Sequence, residues 1–297
     1  MQTISSEHIP RALVAIALVG LGSSAFAAWN LDAVGSCGLS NVTSETCATS
    51  GTGAGTATLT GWSTGSGVGA LSGSAGADYA AAAIYNWASP NGLGIVATNE
   101  SSGSTGPHAF DNAFGIDAMI FGFGTNKVNL SSLTIGWNGS DNAVITNAVN
   151  YNDSDLSVFA WTGASAPTAP ASSPSSMPGT SSTGGALSAG WTLVGNYANV
   201  GALNGSAAGG TQGISSSFYS SYWLISAYST AYGTGTNLDE GNDAFKLMSI
   251  AGGTCGGTVS GTTCLNGAKV PEPGSLALMG AALAGMLALR RHKGQVA

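Results

Sequence analysis

The chain has 297 residues, with seven Lys and Arg against fourteen Asp and Glu, a formal charge of −7, and 46 glycines. Only Lys127, Lys246 and Lys269 lie between residues 28 and 269, while every carboxylate except Glu7 and Glu272 falls there. So acidic a surface repels a phosphate backbone, which sets nucleic acid aside as a partner. Long charged helix formers are scarce and small and β-branched residues abundant, a balance that favours strands and turns.

The N-terminus reads as a secretory signal. Arg11 supplies a positive charge, residues 12–22 an apolar core, and Ala25 and Ala27 the small side chains that a signal peptidase reads. Residues 1–27 are therefore expected to form a signal helix removed before Ala28. The remaining segment, 28–269, is long enough for one domain with its own core.

Four cysteines form two close pairs near the ends of that domain, Cys37 with Cys47 and Cys255 with Cys264. In an exported chain an even count reads as disulfides, and local pairing is the simplest arrangement, with cross-pairing between the ends also open. A zinc site is disfavoured, because no Cys-x-x-Cys spacing occurs and His108 is the one histidine of the segment.

Strands are expected at 57–62, 79–87, 94–98, 119–123, around Leu133, Ile135 and Trp137, at Leu156–Trp161, around Trp191, Leu193 and Tyr197, and at 222–228 and 245–250. Leu156–Trp161 (LSVFAW) is apolar on both faces and reads as a central strand. No βαβ rhythm interrupts the series. The expectation is an all-β, antiparallel β-sandwich, jelly-roll-like, of roughly eight to ten strands. Residues 164–188 differ: Pro167, Pro170, Pro174 and Pro178 sit among Ser, Thr, Ala and Gly, with little to bury. They read as a flexible insertion within one domain.

Several segments suggest chemistry. Residues 61–65 fit the G-x-S-x-G pattern around Ser63, but a chain this rich in Gly and Ser produces the pattern by composition. His108-Ala109-Phe110-Asp111-Asn112 reads as a loop, with Asp111 and Asn112 making a turn that His108 caps. Asp153 and Asp155, with Asp239, Glu240 and Asp243, are the candidate calcium ligands, since calcium takes several oxygens and Asp-x-Asp in a loop offers two. They match no EF-hand spacing, so the expectation is no cofactor, with calcium as the one alternative. The tryptophans read mostly as core, and any exposed ones would offer a sugar-stacking face.

At the C-terminus, Val270-Pro271-Glu272-Pro273-Gly274 precedes an apolar stretch, 275–289, and a basic end, Arg290-Arg291-His292-Lys293. The stretch is slightly short for a permanent span, which takes about 17–25 residues. The basic cluster belongs on the cytoplasmic side. Residues 270–293 thus read as a sorting signal with a transmembrane helix, held only transiently in the inner membrane.

These three parts in order resemble the PEP-CTERM sorting signal of Gram-negative bacteria. That resemblance implies recognition by an exosortase, cleavage near the Pro-Glu-Pro, and a destination at the cell surface or outside. The segment 108–112, with Asn99-Glu100, Asp153-Ser154-Asp155 and Tyr222-Trp223-Leu224-Ile225, also resembles a subgroup of exosortase-dependent surface proteins. The expected role is that of a non-enzymatic surface or extracellular-matrix protein, associated with exopolysaccharide. The alternative is a carbohydrate-binding sandwich, with calcium as an aid.

Overall fold

The computed structural model describes residues 26–31, 44–47, 55–63, 79–87, 90–96, 108–112, 116–138, 154–167, 190–201, 210–239 and 243–265. Fifteen strands run through them: β1 (Phe26–Asn30), β2 (Ser44–Cys47), β3 (Ala57–Ser63), β4 (Ala80–Asn86), β5 (Leu93–Val96), β6 (Phe110–Asp111), β7 (Asp117–Gly122), β8 (Val128–Asn138), β9 (Leu156–Trp161), β10 (Trp191–Tyr197), β11 (Gly210–Gly213), β12 (Tyr222–Ala227), β13 (Ala244–Thr254), β14 (Thr258–Ser260) and β15 (Thr263–Leu265). A single 3-10 turn, Thr230–Tyr232, completes the regular structure among the described residues.

All pairings are antiparallel, as expected. Thirteen strands form one continuous sheet along the path β10-β9-β12-β7-β3-β4-β5-β13-β8-β11, with β1 and β6 on β13 and β2 on β3. The expected sandwich has two separately bonded sheets, whereas here β4 carries the ladder from one half to the other. Residues Ala80, Ala81 and Ala82 pair with β3, and Ala83 to Asn86 pair with β5. Small side chains permit this turn of the sheet. At Gly61 an added Cβ would approach the Ala82 carbonyl to 2.7 Å.

The alternation of side chains along each strand explains how the sheet curls. Met119 and Phe121 on β7, Val158 on β9 and Trp223 and Ile225 on β12 point into one cluster. That cluster also receives Leu133 and Ile135 from β8 and Phe245, Leu247 and Ile250 from β13, the other half of the sheet. The inner face therefore closes on itself. Residues of the opposite parity, Ala118, Ile120, Phe159 and Leu224, join Trp62, Trp161, Trp191 and Tyr232 in a second cluster on the outer face. Both faces of β7 and β9 are buried throughout, which is why LSVFAW carries no polar alternation.

β1 begins two residues before the expected cleavage point: Phe26 pairs with Gly253 and Ala27 with Gly252, and Ala27 is buried. Cleavage before Ala28 would leave the pairings of Ala28, Trp29 and Asn30 in place. β13 runs past Ile250 to Thr254 and leads into a hairpin, β14–β15. Among the described residues no helix is long and apolar enough to cross a membrane. Apart from Phe26 and Ala27, which belong to β1, both expected flanking helices lie outside those residues, as does most of the 164–188 insertion.

Candidate functional site

Segment 108–112 is buried throughout, and Asp111, expected in a turn, belongs to β6. Phe110 and Asp111 pair with Phe245 and Ala244 on β13, and the Phe110 and Phe245 rings stack at 4.9 Å. His108 adopts a positive φ of 40°, and its ring lies 5.1 Å from Tyr85. Gly94 lies so close beneath it that a Cβ there would run into the His108 carbonyl.

From this segment a polar network reaches across one end of the sheet. Asn112 donates its amide to the Asp243 carboxylate at 2.5 Å and to the Tyr228 carbonyl at 3.0 Å, while Asp243 N–H returns a bond to Asn112 Oδ1 at 3.1 Å. The other Asp243 oxygen accepts Asp155 N–H at 2.6 Å. Asp155 in turn accepts Asn199 N–H at 2.7 Å and Asp239 N–H at 2.9 Å. Asp155 and Asp243 are fully buried. Each of their oxygens is met by an N–H donor, the arrangement that makes a buried carboxylate tolerable.

Of the candidate calcium ligands, Asp155, Asp239 and Asp243 converge, with carboxylate atoms within 4.8 Å of one another. Asp153 and Glu240 lie outside the described residues. The network's chemistry is chiefly organisational: two carboxylates gather the segments after β6 and β10 and before β9 and β13. The sequence reading identified the aspartates and gave Asn112 only a turn, and it did not identify Asn199; both roles are created by chain segments far apart. Asn199 has a φ of 53°, a conformation that asparagine tolerates better than most residues.

Ser63 of the G-x-S-x-G match is buried in β3, paired with Ala80 and Asp117. Five of the seven tryptophans, Trp29, Trp62, Trp161, Trp191 and Trp223, are buried as expected, and Trp87 and Trp137 are partly exposed. Both approach Lys246, whose Nζ lies 3.6 Å from the Trp137 ring centre and 4.7 Å from that of Trp87.

Cys255 and Cys264 are bridged, with Cα atoms 5.6 Å apart, and the bridge spans the β14–β15 hairpin. Cys37 lies outside the described residues, as do Ala25, Val270, Pro271, Glu272, Pro273, Arg290 and Arg291.

The molecule is thus an all-β domain whose last hairpin directly precedes a C-terminal signal. Residues 269–291 match the PEP-CTERM protein-sorting motif, so the chain carries the signature of an exosortase-dependent, exported envelope protein of bacteria. No curated protein and no solved structure matches the chain.

Proposed function

We propose that this is a non-enzymatic surface or extracellular-matrix protein, sorted by an exosortase and associated with exopolysaccharide. The PEP-CTERM motif at 269–291 carries the reading. A signal peptidase removes the N-terminal segment, the tail holds the chain briefly in the inner membrane, and the exosortase acts near Pro271-Glu272-Pro273. Burial supports a binding rather than a catalytic role. Ser63 sits inside a ladder, where a nucleophile elbow would project its serine from a turn, and the central carboxylates are engaged in holding loops together.

Mass spectrometry of the exported protein tests the route. The expected product starts near Ala28 and lacks the residues after the Pro-Glu-Pro. A mature product that retains Arg290 and Arg291, in cells with an active exosortase, would overturn the assignment.

A second reading, a carbohydrate-binding module, draws on one observation: the two tryptophans left partly exposed both approach the same lysine.

A further inference from the structure

The position of Trp87 and Trp137 follows from the sheet. Lys246 of β13 pairs directly with Trp137 of β8, so the two side chains stand side by side on the strand surface. Neighbouring Phe245 points the other way, into the inner core. Trp87 follows directly on β4, and its amide bonds to the Gly92 carbonyl at 3.0 Å, which fixes the turn into β5. The Tyr85 ring lies 5.0 Å from Trp87. Two partly exposed indoles, Trp87 and Trp137, therefore share one ammonium, and the partly exposed Tyr85 ring joins the group through Trp87.

Lys246 is only 4 % exposed. Its charge is turned onto the ring faces, where the aromatic quadrupoles attract it. Such contacts hold both indoles in place before anything binds, and rigid aromatic groups lose little entropy when they engage a ligand. The chain buries every other tryptophan, so leaving these two partly open, side by side, singles this patch out.

We infer that Tyr85, Trp87 and Trp137 form a stacking platform for the sugar rings of an uncharged polysaccharide, with Lys246 as the residue that positions the two indoles. This rests on the carbohydrate-binding reading above and gives that reading a site and a ligand class. A pyranose ring offers an apolar C–H face that lies flat on an indole, and hydroxyls at its rim that stay in water. Charge selects the neutral polymer. The domain carries a large excess of carboxylates, and the lysine at this site directs its ammonium at the rings, not at solvent. A uronic acid chain would meet net repulsion from the domain as a whole.

The test uses the exported, processed protein in native affinity gels containing dextran, glucomannan or xylan, with alginate as the acidic comparison. At least one neutral glycan is expected to retard the protein. Trp137→Ala and Trp87→Ala should each weaken that retardation about tenfold, the scale of a binding hot spot. Lys246→Met should weaken it less, because the rings remain. Retardation that survives loss of both indoles would overturn the site while leaving carbohydrate binding itself standing. Retardation by none of the neutral glycans, or by alginate alone, would overturn both.

If the variants do not fold, the unaltered protein decides the matter. N-bromosuccinimide should oxidise Trp87 and Trp137 first, and a retarding glycan should protect both. Oxidation of these residues at the same rate with and without the glycan would overturn the platform.

Discussion

Asp155 and Asp243, 88 residues apart, are joined by one short bond in which the Asp155 amide donates to Asp243 Oδ1 at 2.6 Å. With the Asn112 side chain on the other oxygen, Asp243 holds two buried donors. Asp243→Ala strips the acceptor from both, and unsatisfied buried donors cost about 1–3 kcal/mol each. A loss of about 3 kcal/mol is expected in urea unfolding. Asp239→Ala should cost less than about 0.5 kcal/mol, because Asp239 contributes its backbone N–H and its residue is exposed. Equal losses would contradict the network.

The same aspartates bear on calcium. Saturating binding at a hundredfold excess over the dissociation constant would stabilise the fold by about 2.7 kcal/mol, several degrees in melting temperature. Since N–H donors already meet the oxygens of Asp155 and Asp243, the expected shift is smaller than about 2 °C. Melting curves with calcium and with chelator measure it. A larger, saturable shift that Asp239→Asn abolishes would establish a calcium site and favour calcium-assisted sugar binding.

Gly94 and Gly213 give a contrast in close packing. A Cβ at Gly94 would strike the His108 carbonyl and the backbone around it, which cannot swing aside as a flexible side chain can. Gly94→Ala is expected to cost about 3 kcal/mol or more. Gly213 on β11 has open space at the same position, so Gly213→Ala should be neutral or slightly stabilising. Denaturant midpoints of the two variants check this directly.

Alkaline pH should expose the buried hydroxyl pair. Tyr79 and Tyr232 share a hydrogen bond of 2.6 Å, and Ser226 and Asp117 stand nearby. Burial raises the Tyr79 pKa well above the ordinary tyrosine value, and the neighbouring Tyr232 adds to the shift. Below the unfolded value of about 10, both states keep the proton and stability is unaffected. Above it the unfolded chain releases the proton and the folded chain does not, so stability falls as pH rises. Tyr79→Phe should flatten that decline, at a cost of about 1 kcal/mol near neutrality for the lost bond. An unchanged alkaline slope in the variant would exclude Tyr79 as its source.

The Cys255–Cys264 bridge closes a loop of nine residues in sequence separation, at the end of the last hairpin. On the chain-entropy model its loss costs about 2–3 kcal/mol. Non-reducing peptide maps should show Cys255 joined to Cys264, and Cys37 to Cys47. Reduction should loosen β14–β15 while leaving β13, held by β8 and β1, in place. Hydrogen exchange that collapses along all of β13 on reduction would refute so local a role.

Much of this protein was legible in its sequence because the relevant signals are local. Apolar alternation and turn residues located nine strands, with Leu156–Trp161 matched end to end and Trp191, Leu193 and Tyr197 all falling in β10. The tail carries its sorting signal in consecutive residues, which is why the PEP-CTERM resemblance needed no fold. The short strands β1, β2, β6, β11, β14 and β15 escaped notice because two to five residues carry too little periodicity to stand out. Composition likewise gave no sign that β4 would pair with β3 along one half and β5 along the other, joining two layers into one sheet. Tertiary structure alone decided which polar and aromatic residues meet. Asn112 finds Asp243, and Trp87 and Trp137 find Lys246, only when strands distant in sequence come into register. Backbone pairing sets those contacts, and its register depends on burying the whole apolar face at once.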